Sequence, residues 1–189
     1  MPDRNKLGVG LFILSEANFF GVLIIGYIYF YLNPSAGPTA AGSLDPLRTL
    51  GFSIALFLSS VTMHLAGRSF RAGSKQSVRL WLAVTVTLGA IFLVGQGLEY
   101  TKLINREITV STDLFGSTFF TLTGFHGLHV LIGLCALGTL LGAVLSGRFN
   151  NIKREGFEAI SMYWHFVDAV WVVIFAIVYV WPFLTRRIA

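Results

Sequence analysis

The sequence predicts an all-α, polytopic membrane protein with five transmembrane helices. Two observations carry that prediction. First, 54% of the 189 residues are hydrophobic and only 12% are charged, about half the ~25% charge of a soluble domain. Second, the apolar residues gather into five long runs, at 7–32, 47–67, 78–101, 114–145 and 156–184. Each run meets the ~20 residues that a helix needs to cross the hydrocarbon. The runs do not alternate, and in lipid only helices and closed barrels satisfy every backbone hydrogen bond, so these runs are helices. Such a composition excludes an ordinary soluble domain and a disordered tail. The gaps between runs are too short for a further fold, so 1–189 reads as a single membrane domain.

The first run is too long for a signal-peptide core and reads as a retained helix. Asn33-Pro34 should end it, because proline disfavours helical geometry in the residue before it. A Gly/Ala/Pro loop is expected over 34–46. The second run is the weakest, diluted by Ser53, Ser59, Ser60, Thr62 and His64. The fourth and fifth exceed a bare span and should tilt or project beyond the bilayer. Gly138 and Gly142, four apart in the fourth run, offer a surface for close helix approach, continued by Ser146. Trp81, Trp164, Trp181 and Tyr100 fall near span ends and suit an interfacial aromatic belt.

The formal net charge is +5. In a soluble protein that would raise the question of nucleic acid; here the basic residues sit between apolar runs, so they report orientation, and no nucleic-acid partner is expected. Arg4, Lys6, Arg68, Arg71, Lys75, Arg79, Arg148, Lys153 and Arg154 fall on one face, and Arg48, Lys102, Arg106, Arg186 and Arg187 on the other. The basic excess predicts a cytoplasmic N-terminus, and an odd number of spans then puts the C-terminus outside. The lone Cys135 excludes an intrachain disulfide framework and a two-cysteine metal site.

Ionisable side chains inside a bilayer cost at least ~2.5 kcal/mol when charged, so each needs a partner or a task. Glu16, His126, His129, His165 and Asp168 lie deep in their runs, whereas His64, Glu99 and Glu158 lie near run ends and can reach the interface. His126 and His129 share a face, and Glu158, His165 and Asp168 line one stripe. Three readings of this set stand open. The residues hydrogen-bond each other and hold helices together; they form a proton or ion path; or they bind haem or a metal. His126 and His129 are too close to clamp a haem from one helix, and no second histidine pair at helical spacing exists. Equal depth from the N-terminal face predicts that Glu16 and His165 meet, with Glu158, His126, His129 and Asp168 tying the later helices. Arg68 and Arg148, by loop position, are the candidates for lipid head groups. No Walker-type loop, Gly-x-Ser-x-Gly elbow or His-Glu-x-x-His motif occurs.

Several segments resemble one family. Gly156-Phe157-Glu158-Ala159, Tyr163-Trp164-His165-Phe166-Val167-Asp168 and Val170-Trp171 look like the last helix of cytochrome c oxidase subunit III. Thr123-Gly124-Phe125-His126-Gly127-Leu128-His129-Val130 resembles the preceding helix of that family, with Gly116-Ser117-Thr118-Phe119-Phe120 as its entry. Ser15-Glu16-Ala17-Asn18-Phe19-Phe20 resembles the segment bearing a carbodiimide-reactive glutamate, and Gln96-Gly97-Leu98-Glu99-Tyr100 matches a further Glu-Tyr pair. Many members have seven helices; this chain is similar to the five-helix bacterial form, whose expected place is the bacterial inner membrane. The resemblance implies a non-redox core subunit of a haem-copper terminal oxidase in the aerobic respiratory chain. Such a subunit packs mainly on subunit I, with subunit II and small subunits as further partners. It binds structural phospholipid and supports assembly and sustained proton uptake while cytochrome c reduces oxygen. It implies no cofactor in this chain, with haem and copper in the partners. The equivalent subunit of a quinol oxidase or nitric oxide reductase-type complex, and an independent proton-coupled transporter, are the alternatives.

Overall fold

A computed structural model describes residues 4–33, 40–111 and 113–186. Among these, every regular element is helical. The chain runs through α1 (Arg4–Leu32), a short α2 (Ala40–Ser43), α3 (Pro46–Arg71), α4 (Lys75–Ile104), α5 (Leu114–Leu145) and α6 (Arg154–Phe175). A 3₁₀ turn at Phe149–Asn151 precedes α6, and a π-helical stretch, Ala176–Val180, joins it to α7 (Trp181–Arg186). Among the described residues, five helices are long and apolar enough to cross a membrane: Leu7–Leu32, Pro46–Arg71, Lys75–Ile104, Leu114–Leu145 and Arg154–Val180. The expected run at 78–101 extends at both ends, because a helix keeps its backbone bonded whether its flanks are apolar or, like Lys75, Gln76 and Lys102, polar. The expected loop is in part the helix α2; residues 34–39 lie outside the described ones.

Local sequence sets the ends. Asp45 caps α3, its carboxylate accepting from the backbone N–H of Arg48 at 3.3 Å, with Pro46 at the first helical position. There proline's missing donor costs nothing. Asp113 caps α5 by accepting from the N–H of Gly116 at 2.6 Å. Past α3 and α5 the chain turns through Gly73 (φ +71°) and Gly147 (φ +74°), left-handed conformations open to glycine at little cost.

Helices α3, α4, α5 and α6 close into a ring, each packing on the next and α6 returning to α3. The three-residue turn 72–74 makes α3 and α4 the most intimate pair. Helix α1 lies in the groove between α5 and α6. It buries Phe20 and Tyr27, two turns apart, and leaves Leu11, Val22 and Ile25 60–69% exposed. Apolar exposure of that kind suits lipid.

The centre of the ring is built on α6. Trp164 and Trp171, two turns apart, are both at most 1% exposed. The Trp164 indole fills a notch made by two glycines: a Cβ at Gly89 would lie 2.7 Å from it, and one at Gly133 2.8 Å. Glycine is required there to let the ring in. Trp164 is thus core rather than interfacial, and Tyr100 turns inward to hydrogen-bond Thr123 at 2.8 Å. Gly138 and Gly142 face away from the bundle, with nothing within 4 Å of where a Cβ would stand, so close approach is achieved at Gly89 and Gly133 instead.

Candidate functional site

Several polar side chains inside the bundle form pairs that bridge helix seams. Glu16 on α1 meets His129 on α5, Oε2 to Nε2, at 2.9 Å. The other ring nitrogen, Nδ1, lies 2.7 Å from the carbonyl oxygen of Phe125. A carbonyl only accepts, so Nδ1 carries a proton. Nε2 and the Glu16 carboxyl then share one further proton, either as a neutral acid bonded to imidazole or as a carboxylate–imidazolium pair. Both forms are net neutral, the arrangement that costs least inside a membrane. Phe20 packs edge-on to the His129 ring (centroids 5.0 Å), and the Tyr163 hydroxyl donates to the His129 carbonyl at 3.1 Å.

The expected Glu16–His165 bond is not made. His165 instead bonds Ser60 on α3, Nδ1 to Oγ, at 3.1 Å. Depth was matched but azimuth was not. Tyr163 faces α5, where its hydroxyl meets His129; His165, two residues on, is turned roughly 200° about the helix axis, toward α3.

The hydroxyls that dilute the second run are its packing face. Trp171 Nε1 donates to Ser53 Oγ at 2.9 Å, and Trp164 Nε1 to Ser59 Oγ at 3.0 Å. Thr62 and Thr85 bond across α3 and α4 at 2.8 Å. Only His64 of that group points outward, exposed but near enough to His165 to interact electrostatically.

His126 departs from the hydrogen-bonded cluster expected for it. It is 0% exposed, and neither ring nitrogen has a hydrogen-bond partner. Aromatic rings enclose it: Trp171 stacks on it (4.8 Å, 23°), and Phe92 and Phe20 meet it edge-on at 5.9 and 6.3 Å. Asp168 faces Ser60, beside His165, while its Oδ1 is buried without a partner. Glu158 pairs with Arg154 one turn earlier in α6, at 2.7 Å and at the exposed rim. Among the described residues, no three His, Cys, Asp or Glu side chains converge as metal ligands.

Glu99 does not merely reach the interface. It accepts from the hydroxyls of Thr49 on α3 and Tyr179 on the π-helical stretch, both at 2.9 Å. A π turn adds one residue to the helical repeat, and that shift accompanies the aim of Tyr179 at α4. Beside it, the Gln96 amide donates to the Thr123 carbonyl at 2.6 Å and to Tyr100 Oη at 3.1 Å. The sequence does not mark Thr49, Ser53, Ser59, Gln96 or Tyr179 as site residues. The Gln96/Tyr100 spacing of four was the available signal, since it places both on one helix face.

Arg68 and Arg148 are exposed at one end of the bundle, together with Arg71, Lys75, Arg79 and Lys153. Aromatic packing knits this rim: Phe70 stacks on Phe157 (4.4 Å, 6°) and meets Phe149 at 5.5 Å, and Lys75 Nζ lies 5.8 Å above the Phe149 ring.

Residues 3–183 match the family model described as cytochrome c oxidase subunit III. The chain is 39% identical over 180 residues to "Cytochrome c oxidase subunit 3" of Synechocystis sp., covering 94% of this chain and 76% of that one. It is 34% identical to the protein of that name from Corynebacterium diphtheriae, over 94% of this chain and 88% of that one. For the protein of that name from Oryctolagus cuniculus the identity is 35%, over 93% and 69% respectively.

Proposed function

The chain belongs to the cytochrome c oxidase subunit III family and is thus a multi-pass membrane subunit of a haem-copper oxidase complex, and on that premise we propose that it is the complex's non-redox core subunit. In this reading it packs mainly on subunit I, with subunit II and small subunits nearby, and haem and copper are held by those partners. The complex sits in a bacterial inner membrane, with the N-terminus and the basic rim of Arg68 and Arg148 on the cytoplasmic side. That rim holds phospholipid head groups, whose phosphates suit a cluster of guanidinium and ammonium groups. Cytochrome c is the electron donor, a reading supported by the names of the relatives.

One observation carries the proposal: several polar side chains of the membrane interior hydrogen-bond one another across helix seams. Glu16–His129 joins α1 to α5, His165–Ser60 joins α6 to α3, and Glu99 joins α4 to α3 and to Tyr179. Groups so engaged make a rigid scaffold, and a scaffold serves assembly and the retention of proton-uptake geometry in a neighbour.

Purification of the native complex, with and without this chain, tests the reading. A haem spectrum that survives removal of the chain, together with turnover that begins normally and then decays, is the expected result. Loss of haem absorbance on removal, or haem co-purifying with the isolated chain, overturns it.

A further inference from the structure

Helix α6 carries a polar stripe on its outward side. Glu158, Ser161, His165 and Asp168 follow one another at spacings of three, four and three, and Val172 continues the series. Alternation of three and four keeps a stripe in line with a partner helix over several turns. All four polar residues are partly exposed, and Val172 is 51% exposed. Across the seam, α3 adds Ser60, bonded to His165 at 3.1 Å and beside Asp168, and the exposed His64. The stripe starts at the basic rim and ends at mid-membrane, for Asp168 is one residue past the middle of the span Arg154–Val180. Helix α1 packs on the other flank of α6, in its groove with α5.

We propose that this α3/α6 seam is the surface on which a transmembrane helix of another oxidase subunit packs, presenting hydroxyl or amide side chains at the depth of His165 and Asp168. The inference rests on the reading of the chain as a core subunit, and adds the face through which it docks. Hydrocarbon offers no hydrogen bonds, so ionisable side chains inside a bilayer face protein or enclosed water. Water along this stripe would itself need a protein wall against the lipid, so a partner is required on either account. Lipid head groups do not reach the end of the stripe: Asp168 is ~21 Å along the axis from Arg154 and ~18 Å from Val180, at ~1.5 Å per residue. Hydroxyls and amides both donate and accept, and so serve an acid and an imidazole in either protonation state. The outward side of α1 differs. It exposes Leu11, Val22 and Ile25, and Ser15 and Asn18 beside them bond to carbonyls of their own helix at 2.7 and 2.8 Å. Such a side suits lipid.

Photo-crosslinking in the intact complex tests the assignment, with benzoylphenylalanine placed at Val172 or, for comparison, at Val22 on α1. Val172 should give an adduct with another subunit, identified by mass spectrometry, at a yield several-fold above any protein adduct from Val22. Adducts at Val172 with lipid alone, or with a second copy of this chain, overturn the proposal. Val172→Trp adds bulk to a side chain already open to the outside, so the fold accommodates it while the partner helix is wedged away. Recovery of the haem-bearing subunits with the chain should fall several-fold, and Val22→Trp should leave it unchanged. Equal recovery with both variants also overturns the proposal. Co-purification of the unaltered chain separates the two levels: if it holds while Val172 labels lipid alone, the docking face is wrong and the subunit reading stands. If it fails, both fall.

Discussion

Trp164 on α6 donates its indole N–H to Ser59 on α3 at 3.0 Å while its ring is clasped between Gly89 of α4 and Gly133 of α5. One side chain thus touches all three other helices of the ring. Shape admits the ring and the hydrogen bond fixes its direction, so the notch and the hydroxyl depend on each other.

Replacing Gly133 with alanine should therefore disrupt the bundle, because the new methyl would sit 2.8 Å from a ring that has nowhere to go. Overpacking of a tight core typically costs about 1–3 kcal/mol. Gly138→Ala, five residues on and facing open space, should leave stability unchanged in the isolated chain. Thermal denaturation of the two variants in detergent separates them; equal midpoints would show that the notch does not set the packing.

Ser59→Ala should leave the indole N–H buried and unpaired, a loss of about 1–3 kcal/mol. Trp164→Phe leaves a cavity in the notch, but its cost should be smaller in the Ser59→Ala background than in the unaltered protein, since donor and acceptor are then both absent. A double-mutant cycle on unfolding midpoints reads the coupling; additive effects would mean that the bond contributes nothing.

Glu16→Ala should strand His129, which is buried on the far side of the pair, and loosen α1, whose span is held by few buried side chains. Glu16→Gln keeps a hydrogen-bonding partner at Nε2 and should stay closer to the unaltered protein. Initial turnover of the assembled complex is expected to be near normal in both, with a faster decline during sustained turnover for the alanine variant. His165→Ala should behave similarly through loss of Ser60. Immediate, complete loss of turnover in a correctly assembled complex would point to direct proton transfer by Glu16 instead.

Tyr179→Phe removes one of the two hydroxyls that donate to Glu99 and should free the C-terminal π-helical stretch. Faster amide exchange or proteolysis confined to 176–186 is the expected readout, with α3 and α4 unaffected because Thr49 still bonds Glu99. Protection equal to the unaltered protein would show that apolar packing alone holds the stretch.

Glu158→Ala, by contrast, should leave the thermal midpoint within measurement error. Arg154, with which Glu158 pairs, is exposed at the rim, where water and salt screen the pair. A large destabilisation would mean that Glu158 makes a second contact of greater consequence.

The sequence by itself determined the five spans, their order and their helical nature. Those follow from run length and the demand that every backbone group be bonded in lipid, and both are local properties. It also marked Glu16, His129 and His165 as side chains that call for partners, because the cost of solvation lost in a bilayer follows residue type, although His126, marked in the same way, is enclosed by aromatic rings with no hydrogen bond. Tertiary structure decided which partners. Distance along a helix fixes depth, but rotation about the axis is set by packing, and rotation sent Glu16 to His129 and His165 to Ser60. The same holds for the serines of α3, which look like weak hydrophobicity until two tryptophans from a helix more than 100 residues away arrive to donate to them. Gly138 and Gly142 had the right spacing for close approach, yet Gly89 and Gly133 took that role, because only their positions face the largest side chain in the core.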